Sequence, residues 1–426
     1  MKTTIKIFSV IAAITASLIS TGIHAQKLQY FRPYDQTGVN IFEPSKEDTV
    51  GFDGLKVKIG GNFALQYQMI RHSNNPIPSD PATTLVDIGD GFNLATANMN
   101  LDVQLEDGVR LNLTSYLSSR HHEETWVKGG YIQFDKLAFL KSDAINSIME
   151  YVTLKIGHME INYGDSHFRR TDNGNALYNP FVGNLIMDAF TTEIGAEVYA
   201  NYNGFLGMIA ASGGEIKGDI TNPGDRKPSY YGKIGYDKQI TDAVRVRLTG
   251  SFYSTESSNS NTLYGGDRAG SRYYMVLTNV PDIDAPHTSG RWNPGFRDKV
   301  TTFVINPFIK LRGLELFGNI ESAKGRSATE TAERTVNQYG FDTAYRFLPR
   351  EQLFVGARYD VVSGDLSATV PDASINRLQI GGGWFVTRNL LVKAEYVDQR
   401  YVDFPDASIF HEGEFHGAIV EAVIGF

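Results

Sequence analysis

The chain has no cysteine among its 426 residues and only three tryptophans. Without cysteine there is no disulfide, no thiolate nucleophile and no cysteine-ligated metal, so an exported chain of this kind must draw its stability from backbone pairing and packing. Beyond residue 25 no run of 18 apolar residues occurs, which excludes helical membrane spans. Long stretches with helical periodicity are scarce. Basic charge is in deficit: setting aside Lys2 and Lys6 leaves 38 basic against 48 acidic residues, a net charge of −10. That balance argues against a nucleic-acid partner. No phosphate-cradling or dinucleotide-binding glycine loop is present, and no cofactor is expected.

What is abundant is glycine (42), phenylalanine (25) and tyrosine (22), a composition that suits an all-β chain. The first 25 residues read separately, as a secretory signal peptide. Lys2 and Lys6 give a positive start, residues 7–20 are mostly apolar, and Ile23-His24-Ala25 fits a cleavage site, with cleavage near Ala25.

Period-two alternation dominates the rest. Leu55, Val57, Ile59, Gly61, Phe63, Leu65, Tyr67 and Met69 alternate with residues that include Lys56, Lys58, Asn62, Gln66 and Gln68. Such a strand is apolar on one face, polar on the other, and long enough to cross a bilayer. The pattern recurs in up-and-down pairs. Asp107-Gly108 and Asn203-Gly204 stand at hairpin turns, where both central residues are expected to take positive φ. Short connections fall on one side and long ones, such as 71–90, 159–190 and 254–298, on the other. This is the arrangement of an outer-membrane barrel. Eight long loops predict a transmembrane antiparallel β-barrel of 16 strands over 51–426, with 18 as the alternative. Residues 271–279 are read as a hairpin arm inside the 254–298 loop, and 136–150 as a short connection able to form a small helix. Residues 26–50, with Pro33 and Pro44, form an N-terminal segment that is either periplasmic or lumenal. The last strand ends on Phe426, which resembles the signal read by the machinery that assembles bacterial barrels.

Another break in the pattern, with a composition of its own, lies within 151–202, between the strand-like runs 151–157 and 194–200. Loops of this length are usually functional or disordered, and the aromatics, Asn and Arg of this one argue for order. It is expected to fold into the lumen and narrow it. Arg169, Arg170, Asp172, Asn173, Glu193 and Glu197 are the candidate solute-contacting residues of the constriction, and Lys56, Lys58, Arg110, Arg245, Arg247 and Arg358 the candidate lumen wall. Two adjacent guanidiniums in a constriction attract carboxylates and phosphates. The alternative is that Arg169 and Arg170 bind neighbouring acids such as Glu193 and Glu197 and hold the loop in place.

Catalytic signals are weak, and no catalytic residue is assigned. His121-His122-Glu123-Glu124 has no spacing that converges on one ion, so no metal site is assigned either. Gly164-Asp165-Ser166-His167 lacks the G-x-S-x-G pattern of a nucleophile elbow.

Leu154-Lys155-Ile156-Gly157, Ile161-Asn162-Tyr163-Gly164, the Arg- and Asn-rich loop and Glu193-Ile194-Gly195-Ala196-Glu197 together resemble the phosphate-selective porins of the O and P type, in the version widespread in Bacteroidota. The resemblance implies a 16-stranded, usually trimeric porin whose third loop folds inward and carries arginines, here Arg169 and Arg170. The lysine ladder of that family is not matched, because the wall basics here are scattered among acids. The reading is therefore a porin in the lipid of the cell outer membrane that allows passive diffusion of small hydrophilic solutes or ions, with an anion or phosphate preference as the finer expectation. The alternatives are a structural or adhesive barrel with a plugged lumen and, less in keeping with the sequence, a barrel-type outer-membrane enzyme.

Overall fold

The structure is a computed structural model that describes residues 27–426 apart from 44, 48–49, 93–94, 119–125, 217–225, 259, 266–271, 281–288, 368–369 and 371. The signal peptide expected over 1–25 and the cluster at 121–124 lie outside the described residues.

Sixteen antiparallel strands make one closed sheet. In chain order they begin β1 (Lys56–Ser73), β2 (Thr96–Glu106), β3 (Val109–Ser118), β4 (Trp126–Phe134), β5 (Val152–Glu160) and β6 (Thr192–Tyr202). The middle of the sheet is β7 (Phe205–Ser212), β8 (Ser229–Thr241), β9 (Val244–Thr255), β10 (Lys299–Leu311) and β11 (Leu314–Arg326). The last five are β12 (Arg334–Phe347), β13 (Leu353–Gly364), β14 (Ala373–Thr387), β15 (Leu390–Val402) and β16 (Glu414–Gly425). Each strand pairs with the next, and β16 pairs back onto β1 from Asn62↔Gly425 to Ser73↔Glu414. Gly61 and Phe426 then exchange two backbone hydrogen bonds of 3.0 Å, which seals the seam. A two-residue rung, Gly91–Phe92, extends the β1 pairing beyond β2.

The two rims differ as the sequence implied. Tight turns at 107–108, 203–204, 242–243, 312–313, 348–352 and 388–389 lie on one, together with a longer excursion carrying the helix α1 (Asp143–Met149). The eight long connections lie on the other, and the third, 161–191, folds inward. At Asn203-Gly204 both residues take positive φ, +48° and +89°. At Asp107-Gly108 only Gly108 does, at +72°, and the ladder slips register between Gln104 and Glu106 to accommodate the turn. The hairpin arm expected at 271–279 is not a strand. Residues 272–278 form bends and turns, because Arg272, Met275 and Leu277 stand in the left-handed region at φ +76°, +63° and +51°, which interrupts extended backbone.

The outer surface is apolar: Ile59, Phe63, Ile234, Leu248, Phe303 and Ile309 are among its exposed residues. The inner wall is of two kinds. On β2–β6 it is polar, as alternation requires. From β9 round to β16 it also carries buried Val304, Phe308, Val336, Val362, Val397 and Ile419. At those positions the strands are apolar on both faces, which means that something dry lies against them inside the barrel.

Ile234 sits mid-strand in β8 and is 74% exposed on the lipid side. Ile234→Arg should destabilise the barrel by about 2–4 kcal/mol, measured by reversible urea unfolding into lipid vesicles. An unchanged midpoint would contradict the assignment of that face to hydrocarbon.

Candidate functional site

An irregular loop taken out of water carries backbone N–H and C=O groups that need partners. Inside this barrel the wall side chains supply them. Lys393 on β15 donates to the carbonyls of Ala176, Asn179 and Phe181 at 2.9, 2.9 and 2.6 Å. Arg358 and Arg377 donate to those of Gly183 and Asn184 at 2.9 and 2.6 Å. Glu395, Asp360 and Gln338 accept from the N–H groups of Val182, Ile186 and Met187 at 2.8, 2.6 and 2.7 Å. Apolar packing completes the seat. Val182, Ile186 and Met187 share a dry cluster with Val304, Val336, Val362 and Ile419 of the wall, and with Tyr264, Tyr273 and Trp292 of the fifth long connection. The approach of the two loops is close: a Cβ on Gly183 would lie 2.0 Å from the Tyr273 hydroxyl.

The residues singled out in the sequence are placed as follows. Arg169 is buried, donates to Asn40, lies 3.6 Å from Glu315 and stands over the rings of Phe308 and Phe317. Arg170 forms a fork on Asp188, with Nε to Oδ1 at 2.7 Å, and covers Phe190. Asp172 binds Lys128 of β4, and Asn173 is buried in a left-handed conformation at φ +41°. Glu193 accepts from Ser212 and Tyr253. Glu197 accepts from the Asn162 N–H and from the hydroxyls of Tyr199 and Tyr231. Neither of these two acids meets Arg169 or Arg170, whose partners are instead Glu315 and Asp188. On the wall, Lys56 pairs with Asp53, Arg110 with Asp102, Arg245 with Asp237, Arg247 with Asp165 and Arg358 with Asp342. Lys58 stands 4.7 Å over the Phe31 ring.

Residues 27–43 form a strap across the short-turn mouth. Gln29 holds the 107–108 turn through the Gly108 N–H, and Gln36 reaches the carbonyls of Arg350 and Arg388 on the far side. Asn40 then meets Glu315, and Glu43 pairs with Lys233 at 3.1 Å and Arg247 at 2.8 Å. The same two cations bind Asp165 of the inward loop, at 3.0 and 2.7 Å. Strap, loop and wall therefore meet in one buried group of four charges. Burial works against ionisation of Glu43, yet Lys233 and Arg247 hold its carboxyl down at about 2 against an ordinary 4.5. Asp165 feels the same burial and is likewise held below its usual range by Lys233 and Arg247. Burial pushes the neighbouring His167 down, so its ring is neutral at pH 7.

A polar space lies beside this seat. A cavity of about 260 Å³ lies between β2–β6, the strap and the inward loop. Arg110, Lys128 and Lys155 reach it from the wall, Arg32 and Glu43 from the strap, and Asp172 from the loop. Of the constriction residues named from the sequence, only Asp172 lines it, and of the six wall residues only Arg110. Lys128, Tyr131 and Lys155 were missed. For Lys155 the signal was available, since on β5 it precedes the outward Ile156; for Lys128 it was not, because β4 bulges there between the rungs Thr114↔Gly129 and Ser115↔Val127 and the alternation breaks.

No protein-family model matches the chain, and no curated protein sequence matches it. Solved structures do. The chain is similar to an anion-selective porin from Comamonas acidovorans, at 11% identity over 87% of this chain and 100% of that one, with a TM-score of 0.52. It is similar to the outer membrane channel DcaP of Acinetobacter baumannii, at 11% identity over 88% and 98%, with a TM-score of 0.52. OmpT of Vibrio cholerae in its trimer form is a third, at 10% identity over 88% and 100%, TM-score 0.51. At these identities the likeness is one of fold, and the fold is that of the outer-membrane porins.

Two predictions follow from the buried charges. Arg170→Ala leaves Asp188 ionised and enclosed and should cost about 3–5 kcal/mol, read from thermal unfolding followed by circular dichroism; a loss under about 1 kcal/mol would mean that the pair does not hold the loop. Glu43 and Asp165 are both depressed carboxylates, so their contribution is complete above about pH 4.5 and is lost as pH falls towards about 2. Charging the buried neutral His167 acts in the same direction. Hydrogen exchange of the strap, corrected for intrinsic rate, should stay flat above about pH 6.5 and rise as pH falls below it, most steeply below about pH 4.5; a flat profile through the acid range would sink this.

Proposed function

We propose that this protein is a channel of the cell outer membrane through which small hydrophilic solutes diffuse, and that it has no catalytic role. The observation that carries the reading is the polar cavity beside β2–β6, opposite a wall packed against the inward loop. A barrel built only as a scaffold has no need to keep charged and amide side chains facing an open space on one side while the other side is packed dry. Lipid surrounds the apolar outer wall, the closing strand that ends at Phe426 is the segment recognised during assembly, and the oligomer is a homotrimer, as in the trimer form of the Vibrio protein.

Arg169 and Arg170 act in this reading as anchors of the inward loop. Any preference for anions, phosphate included, then arises from Arg32, Lys128 and Lys155, and it is weak because acids stand close to the two lysines. The second reading, a structural barrel with a plugged lumen, is favoured by the dry packing of two long connections against β9–β16.

Planar-bilayer recording separates the two. Purified protein should give stable unit steps of small conductance, and a bilayer that stays insulating at high protein load would favour the plugged barrel. Deleting residues 27–43 should raise the unit conductance, because the strap crosses the mouth; an equal conductance would show that the strap is not part of the restriction. Arg169→Ala should leave the reversal potential in a salt gradient unchanged, and a shift towards cations would return that residue to the solute path.

A further inference from the structure

The cavity has a chemistry that a plain salt path does not require. Tyr30, Phe31 and Tyr34 of the strap face it, with Tyr131 of β4 and Phe168 and Tyr178 of the inward loop. All but Tyr178 are only half-buried, and each has a cation on one side of its ring: Lys46 by Tyr30, Lys58 by Phe31 and Tyr34, Lys155 by Tyr131, Lys233 by Phe168 and Arg32 by Tyr178. Among the rings lie the amides of Asn98, Asn100, Asn112 and Asn175. Asn98 and Asn112 donate to the Asp172 carbonyl and to Asp102, and Asn100 and Asn175 accept from Thr114 and Asn62, which leaves the side-chain N–H groups of Asn100 and Asn175 to meet a ligand. The charges cancel locally. Arg110 is 2.8 Å from Asp102, Lys155 is 3.6 Å from Glu197, and Lys128 is bound to Asp172. Arg32 lies 3.6 Å over Tyr178 and donates to the carbonyls of Gly38 and Phe168. Paired charges a few ångströms apart leave little net field to draw an anion, but they do present alternating donors and acceptors. Tyr30 also holds φ at +52°, a conformation rare for a bulky residue and typical of places where a side chain is aimed at a ligand.

Aromatic faces carry negative charge density that meets the C–H face of a pyranose ring, and amides and paired charges match its hydroxyls. A phosphate would leave the rings uncovered, and an aromatic acid would leave the amides unused. The cavity volume of about 260 Å³ suits one or two rings and lies just below the range of about 300–1,000 Å³ usual for drug-sized ligands. We propose that this cavity is a binding subsite for a neutral saccharide of one or two rings, so that sugars cross the barrel by way of a bound state. The proposal rests on the channel reading above.

The test uses the full chain in a planar bilayer, with ion current recorded while D-glucose or maltose is titrated. Current should fall saturably with either sugar, whereas sorbitol, which lacks a ring face, should lower it only in proportion to bulk conductivity. Phe31→Ala, in the strap and outside the strand ladder, and Tyr131→Ala should each raise the half-blocking concentration by about 3–10-fold. Block that is linear in sugar, or saturable block by glucuronate or phosphate with none by glucose, would overturn the proposal. If the protein carries no current, the channel reading fails and maltose titration of the detergent-solubilised barrel by calorimetry decides the site. Saturable heat there upholds the subsite and its absence overturns it.

Discussion

In hydrocarbon an unpaired backbone group costs several kcal/mol, and everything in this molecule follows from the need to leave none. The β1–β16 ladder satisfies that need at the only place where the sheet could have had edges, and Gly61 and Phe426 complete it. Once closed, the sheet divides space into an outside that must be apolar and an inside that is free to be anything. The outer face obeys the constraint on every strand. The inner face is where this chain makes its choices.

Those choices are governed by a second case of the same constraint. The inward loop is neither helix nor strand, so its amides and carbonyls have no ladder of their own. Lys393 with three carbonyls, and Glu395, Asp360 and Gln338 with one N–H each or more, stand in for water. Many wall charges that would ordinarily be assigned to solutes are thus engaged with the loop. The strand side opposite, β2–β6, meets the loop backbone at the Asp172 carbonyl and the Asn162 N–H, and between those points its polar residues line the cavity. The barrel has a dry half and a wet half, and the charge pattern means something different in each.

This division explains what could be read in advance. The strands were legible because a bilayer imposes strict alternation: Val57, Ile59 and Phe63 outward against Lys58 and Asn62 inward leave no other register. The Asn203-Gly204 turn was legible because its backbone demands those residue types. The partners of Arg169 and Arg170 were not. Asp188 lies further along the same loop and Glu315 on a strand distant in sequence, and nothing in the alternation of either strand marks that contact. The sequence did carry one unread signal. Phe303-Val304-Ile305, Phe308-Ile309 and Val423-Ile424 are apolar on successive positions, which in a barrel means that the inner wall is covered as well as the outer.

The strap has a kinetic meaning as well as a structural one. Gln36 is hydrogen-bonded to Arg350, 314 positions further along the chain, and Gln29, Asn40 and Glu43 bond to β2, β8, β9 and β11 or to the turns beside them. None of these docking points has its final geometry until the sheet has been laid down and the seam joined. Contacts between positions so far apart in sequence form late, because the chain between them has to be ordered first. Residues 27–43, which precede every strand in the chain, therefore settle after the strands that follow them. Without Glu43, Lys233 has Asp165 as its carboxylate partner and Arg247 has Asp165 and Asp237, so the strap brings the third acid to a site the wall and loop have already begun.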